Sequence, residues 1–426
     1  MEKSNEKYSA YIQILEEELV PAMGCTEPIA IAYGAAKARE LLGALPDQVV
    51  VEASGNIIKN VKSVVVPNTG GLHGIEAAAA AGVVAGKPEL LLEVISQVVP
   101  AQQEEMRAYL EERPVKVEFL DGDLVFDIQV TLRKGTDTAK VRIANYHTNI
   151  VHMEKNGQVL LDLPVEADDE SGLTDRALLT MADIYDFAQT VDLDDVREVI
   201  GRQIGCNMAI SQEGLAHSYG ANIGRVIRDT SRPDDPIAKA KSAAAAGSDA
   251  RMGGCEMPVI INSGSGNQGM TASVPVIVYG REIGASEEKI FRALVLSNLI
   301  TIHQKTRIGR LSAYCGAVSA GAAAGAGIAY LDGGGYEEVI HTVVNALAIV
   351  SGMICDGAKA SCAGKIAAAI DAGVLGYRMY QNGQQFYGGD GILSHGVEKT
   401  LDNVGRLGKI GMRSTDKEIL QIMLQS

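Results

Sequence analysis

Tryptophan is absent from this chain of 426 residues and phenylalanine occurs five times, so aromatics make up only 4% of it. Large aromatic anchors therefore cannot dominate the core. Long runs of large apolar side chains are also missing. The most apolar stretch, Gly316 to Tyr330, is built of Ala and Gly, too short and too weakly hydrophobic to span a bilayer. Positive charge is in deficit, with 38 Lys and Arg against 53 Asp and Glu and a net charge of −15. A nucleic-acid surface would need a local basic patch, and none is found. The first residues, Met1 to Lys7, carry no apolar segment of the kind that marks a secretory signal. A cytoplasmic protein is expected, whose thiols stay reduced. Its six cysteines are then free thiols or metal ligands rather than a disulfide framework. The partner expected is a small molecule, neither nucleic acid nor membrane, with a homo-oligomer left open.

What is present fits a tightly packed enzyme. Hydrophobic residues reach 46%, with 47 glycines, and mean hydropathy is +0.07. The length suggests two domains or three, and small-residue helix contacts are the natural way to build them. Tyr8 to Leu19 and Ile29 to Leu42 read as helices, separated by the break Val20 to Pro28. Val49 to Ala53 and Val61 to Val66 read as strands around Ser54-Gly55-Asn56, followed by the loop Pro67 to Gly74 and an Ala-rich helix from Ile75 to Ala85. From Val115 to Leu163 the chain is β-like, with turn signals at Asp121-Gly122 and Asn156-Gly157. The acidic stretch Glu166 to Gly172 reads as a linker, and helical patterns follow it to the end. The expectation is an α+β fold: an N-terminal α+β domain over 1–168 with a mainly antiparallel sheet on the substrate side, then an all-helical, Ala/Gly-rich C-terminal domain over 169–426.

Cys315 precedes a helix of small residues, and Cys355 and Cys362 lie in one loop-to-helix junction. A thiol at a helix N-terminus has a lowered pKa and is a better ligand as thiolate. Three such thiolates suit a cuboidal iron–sulfur cluster with one iron left open, or they are buried small hydrophobes. Zinc would want a fourth protein ligand, and no CxxC pair supplies one. Cys25, in Met23-Gly24-Cys25-Thr26-Glu27-Pro28, is either a potential thiolate or filler beside a Thr26 N-cap. Cys206 and Cys255 read as structural. The loops Asn68 to Gly74 and Ser263 to Gly269 can present N–H groups to an anion, or are ordinary tight turns. The second fits GxGxxG, but no regular βαβ unit surrounds it, so a dinucleotide site is rejected in favour of a small carboxylate or amino acid. Among Lys305, Arg307 and Arg310, the last is the best carboxylate clamp. His73 and His147 gain weight from their polar neighbours, and His395 has similar surroundings.

Taken together, Met23 to Pro28, Gly309-Arg310-Leu311-Ser312 leading to Cys315-Gly316, and Cys355-Asp356-Gly357-Ala358-Lys359 leading to Cys362 resemble the signatures of the L-cysteine desulfidases, relatives of the iron–sulfur L-serine dehydratase α-chain. Gly70 to Glu76, His147-Thr148-Asn149 with Asn156-Gly157, and Ser265 to Gly269 are similar to loops of the serine dehydratases, over nearly the whole chain and in the same order. The thiol of Cys25 stands about where those enzymes carry a histidine, which favours the desulfidase branch. The resemblance implies a [4Fe–4S] carbon–sulfur lyase that eliminates sulfide from L-cysteine, giving 2-aminoacrylate and then pyruvate and ammonia. It implies that Cys315, Cys355 and Cys362 hold the cluster, and that Cys25 acts as base and is available as a fourth ligand. Thr26, Glu27, Asn68, Gly70, His73, His147, Asn149, Ser265, Asn267, Gln268 and Arg310 would bind the amino acid. The alternatives are an L-serine dehydratase, a non-catalytic iron–sulfur sensor that binds an amino acid, and a pyridoxal phosphate lyase with a lysine such as Lys305.

Overall fold

The computed structural model describes residues 1–166 and 172–425. The acidic linker expected at Glu166 to Gly172, and with it the domain boundary at 168/169, falls largely outside the described residues. Among the described residues there are eight strands: β1 (Pro21–Met23), β2 (Gln48–Ala53), β3 (Lys116–Phe119), β4 (Asp127–Lys134), β5 (Asp137–Ala144), β6 (Ile150–Lys155), β7 (Gln158–Asp162) and β8 (Pro258–Ile260).

Strands β2 to β7 make one sheet in the order β3-β2-β4-β5-β6-β7, antiparallel except for the parallel pair β2–β3. The alternation along each strand sets its faces. Val51 pairs with Val130, which pairs with Val141, and all three are buried on one side. Helix Thr26–Leu42 covers that side, and helix Gly74–Ala85 lies against it so closely that a Cβ on Gly82 would stand 2.3 Å from the Ala32 carbonyl oxygen. At the β6–β7 turn Asn156 and Gly157 both have positive φ, 51° and 79°, as a two-residue hairpin of right-twisted strands requires.

The sequence-expected strand at Val61 to Val66 is a correction. Ser54 starts a short helix, Gly55–Val61, and only Val65 keeps a β contact, an isolated bridge to His73. The β-branched residues there fill the core by burial rather than by sheet pairing: Ile57, Val61 and Val66 are all fully buried. Met270 to Tyr279 lies within a helix, Gly266–Glu282, that tolerates Pro275 inside it.

Beyond residue 176 the chain is helical apart from β8, which pairs with β1, and an isolated bridge between Tyr314 and Ile354. The first helix, Glu6–Glu18, packs on this helical body: Tyr8 and Tyr11 meet Phe187 edge-on, and Lys3 pairs with Asp192. At its centre helix Gly316–Leu331 is almost wholly buried. It packs backbone to backbone against helix Ser361–Gln381, since a Cβ on Gly321 would stand 2.6 Å from Ala369 backbone and one on Gly325 2.6 Å from Gly373 backbone. Both residue numbers rise together along this contact, so the two helices run parallel. Their N-termini, which carry Cys315 and Cys362, are therefore at the same end.

Candidate functional site

Cys315 is the N-cap residue of its helix, and Cys362 lies in the first turn of the parallel helix. The bridge between Tyr314 and Ile354 adds Cys355. Cys315 N–H donates to the Met353 carbonyl (3.1 Å) and Cys355 N–H donates to the Ala313 carbonyl (2.7 Å). Cys315 and Cys355 thus take diagonal positions on one face of the bridge, where side chains are within reach of each other. The loop between Cys355 and Cys362 is held by Asp356, whose carboxylate pairs with Lys359 and Lys365, and by Lys59, which donates to the Cys355 carbonyl (3.2 Å) and pairs with Asp416. Gly357, at φ 96°, leaves the space that the Lys59 carbonyl occupies.

All three cysteines line one cleft, part of it open to solvent. Burial pushes the Cys315 thiol up to about 12, with Cys355 and Cys362 adding to the rise. Burial also raises Cys362. The lowering expected from the helix N-termini is outweighed here. Thiols in this state become thiolates when a bound cation displaces their protons. No three His, Cys, Asp or Glu side chains among the described residues converge as ligands of a single metal ion. A cuboidal cluster asks for something else, because each cysteine binds a different iron. The donor chemistry of three thiols facing one cleft fits such a group.

Cys25, N-cap residue of helix Thr26–Leu42, faces the same cleft and packs with Val64 and Met252 against Cys362. Its thiol donates to the Glu27 carboxylate (3.1 Å), which also accepts from Thr26 (3.1 Å) and from Asn60 (3.0 Å). Burial, then the Glu27 charge, raises the Cys25 thiol well above its ordinary value. Burial works to raise Glu27 too, but His147, the Cys25 hydrogen bond and Arg251 outweigh it and hold the carboxyl below its usual range. The Thr26 hydroxyl also donates to the Gly264 carbonyl (2.8 Å), locking the two loops together.

Of the sequence-expected residues, Cys25, Glu27, Ser265, Asn267, Gln268 and Arg310 line this cleft with the three cysteines. His147 stands behind it, packed edge-on against Phe126, and a Cβ on Gly264 would stand 3.0 Å from its ring. Burial pulls His147 down to about 4, which leaves it neutral at pH 7. Four of the expected residues lie elsewhere. The Asn68 amide donates to the Ile95 carbonyl, the Gly70 carbonyl accepts from Arg107, His73 is an exposed residue ahead of helix Gly74–Ala85, and the Asn149 amide donates to the Ala144 carbonyl. The Asn68, Gly70 and Asn149 groups tie loops down, and none of the four residues lines the cleft. Arg310 is in the cleft wall but its guanidinium is paired with the buried Glu18 (2.9 Å), which also holds Arg176 (2.7 Å).

Sequence reasoning passed over Asn60 and Arg251. The signal for Arg251 was there: one of only two charged groups, with Asp249, in the small-residue run Ala243 to Met252, just before Gly253-Gly254. From sequence, Lys305 is a candidate clamp or Schiff-base lysine. It is buried in the cleft wall, where burial draws its ammonium down to about 8, with Cys355 and Cys315 resisting.

The architecture is α+β, and the thiol-lined cleft has walls that combine cysteines, a buried carboxylate and buried cations. A family model for the serine dehydratase alpha chain matches residues 89–421. The chain is 60% identical to the UPF0597 protein of Desulfitobacterium hafniense, over 100% of this chain and 98% of that one. It is 51% identical to the UPF0597 protein of Lachnoclostridium phytofermentans, over 98% of this chain and 100% of the relative, and 47% identical to that of Treponema denticola, over 100% of both. The chain belongs to the serine dehydratase alpha-chain family. Among the described residues no helix is long and apolar enough to cross a membrane.

Proposed function

We propose that this protein is a [4Fe–4S]-dependent carbon–sulfur lyase acting on L-cysteine, with Cys315, Cys355 and Cys362 as the cluster's ligands. The observation that carries this reading is the meeting of those three cysteines in one cleft with Cys25 and Glu27. When bound, the cluster would supply a Lewis-acidic iron that stabilises charge developing on the leaving sulfur. The protein's own residues handle the proton. The Cys25 thiol passes its proton to Glu27 and its sulfur takes the Cα proton. The electrons of that C–H bond form the Cα=Cβ double bond as the Cβ–S bond breaks, and the departing sulfur leaves as hydrosulfide. The 2-aminoacrylate formed tautomerises and takes up water, giving pyruvate and ammonia. Thr26 and Asn60 hold the carboxylate in place through the hydrogen bonds described above, as a positioned base requires.

A second reading, L-serine dehydration at the same site with hydroxide leaving, is favoured by the family match. One experiment separates the two. Protein prepared without oxygen is assayed for iron and inorganic sulfide, then for pyruvate with L-cysteine and with L-serine. The expected result is cluster-level iron and faster pyruvate release from L-cysteine, with sulfide in equal amount. Faster turnover of L-serine transfers the activity to the second reading, and protein that takes up no iron or sulfide overturns the cluster.

A further inference from the structure

The geometry points to Arg251 as the anchor for the α-carboxylate of a small amino acid bound in the cleft, an assignment that rests on the lyase reading above and names how its substrate is held. Arg251 projects from helix Pro236–Met252 into the wall that also carries Cys25, Glu27, Ser265 and Asn267. It is only 3% exposed, its Nε has no hydrogen-bond partner, and no ion pair forms with it among the described residues. A guanidinium so placed is costly until an anion meets it. Arg251 is felt electrostatically by Glu27, but the buried carboxylates nearby all have other hydrogen-bond partners, Asp249 among them, which accepts from Gly224 N–H (2.9 Å). Glu27 accepts from Cys25, Thr26 and Asn60, and Glu18 binds Arg310 and Arg176.

The residue facing Arg251 supports the same conclusion. A Cβ at Gly266 would stand 2.3 Å from the Arg251 Nε and 2.7 Å from its Cζ. Glycine at that position lets the guanidinium lie against the first turn of helix Gly266–Glu282. The N–H groups of such a turn have no partner within their own helix and favour an anion. A planar fork beside a helix N-terminus is the arrangement that grips a carboxylate with two parallel hydrogen bonds. Lys305, the other buried cation of the cleft without an ion pair, has the Cys355 and Cys315 thiols as its electrostatic neighbours and offers a point charge rather than a fork. The substrate would lie with its carboxylate at Arg251 and its side chain toward the three cysteines.

The test is calorimetric titration of the full-length protein with L-alanine, which has no leaving group, and with L-alaninamide, which lacks the carboxylate. Wild type should bind L-alanine at least 10-fold more tightly than the amide. Arg251→Gln should lose at least 10-fold for L-alanine and leave the amide unchanged, with Arg251→Lys recovering part of the loss. Gly266→Ala, which displaces the guanidinium without removing it, should weaken L-alanine in the same direction. Wild type that fails to bind L-alanine or to discriminate between the two, or folded Arg251→Gln that binds L-alanine as wild type does, overturns the assignment. Should Arg251→Gln not fold, Gly266→Ala with unchanged L-alanine affinity overturns it. Carboxylate discrimination that depends on Arg251 in a protein releasing no pyruvate from L-cysteine or L-serine would sink the lyase reading and keep the anchor. Normal turnover with unchanged KM in Arg251→Gln would do the reverse.

Discussion

Cys25 and Cys355 have different surroundings, although both line one cleft, and the proposed reading gives them different roles. Cys25 is paired with a carboxylate, whereas Cys355 is fixed by backbone hydrogen bonds opposite Ala313. Cys355→Ala should therefore lose the brown iron–sulfur absorbance and the activity together. Cys25→Ala should keep most of the iron and lose about 100-fold or more in kcat, the usual scale for removing a positioned acid–base group. Full activity in that variant would remove Cys25 from the chemistry. A different single-residue effect is expected at Asp249. Its carboxyl is buried, with one oxygen accepting from Gly224 N–H and the other without a partner, and burial raises it to about 6. A folded value above the unfolded one means that this group costs stability as pH climbs from about 4 to about 6, and keeps that cost at higher pH. Asp249→Asn should stabilise the protein by about 1–3 kcal/mol at pH 7 and give no gain below pH about 4. Urea unfolding at the two pH values reads this, and a gain of equal size at both would show that the carboxyl's charge is not the cause.

Among the elements, the parallel helices Gly316–Leu331 and Ser361–Gln381 matter most, because their close contact brings two cysteine-bearing ends together. Cys315 lies six residues ahead of Gly321, and Cys362 seven ahead of Ala369. At about 1.5 Å per residue these are similar distances, roughly 9 and roughly 10 Å, along the two axes. A side chain at Gly325 would push into the backbone of Gly373 and part the helices. Gly325→Val should cost about 1–3 kcal/mol or more from overpacking and lower the iron bound per chain. Wild-type melting together with wild-type iron content would mean that this contact does not set the cysteine geometry.

On the scale of the whole molecule, the first helix is joined to the wall of the cleft by buried charge. Glu18, at the end of that helix, meets Arg176 from beyond the linker and Arg310 from the cleft. Burial works to raise the Glu18 carboxyl, but Arg310 and Arg176 outweigh it and hold the group below the ordinary carboxylate range. Its stabilisation is therefore complete above the unfolded pKa and is lost as pH falls through the lower folded value. Glu18→Gln takes one of two carboxylate partners from the buried Arg176, which keeps Glu17, and should cost about 1–3 kcal/mol at pH 7. The gap to wild type should close in acid, below the unfolded value of about 4. A difference between the two proteins that does not change with pH would contradict the ion-pair account.

Local pattern determined much of this protein. Alternation in β4 and β5, the Asn156-Gly157 turn and the small-residue helices are written in neighbouring residues, because strand and helix periods act over a few positions. The motifs around Cys25, Cys315, Cys355 and Cys362 were legible for the same reason, each being a short run of unusual residues. Only the tertiary structure decided what depends on neighbours remote in the chain. It turned Val61 to Val66 away from the sheet, tied the Asn68 and Asn149 amides to backbone carbonyls, and paired Arg310 with Glu18 while leaving Arg251 without an ion pair among the described residues. Whether a buried charge is neutralised or available depends on which residues the fold brings within a few ångströms of it, and no local sequence period carries that information.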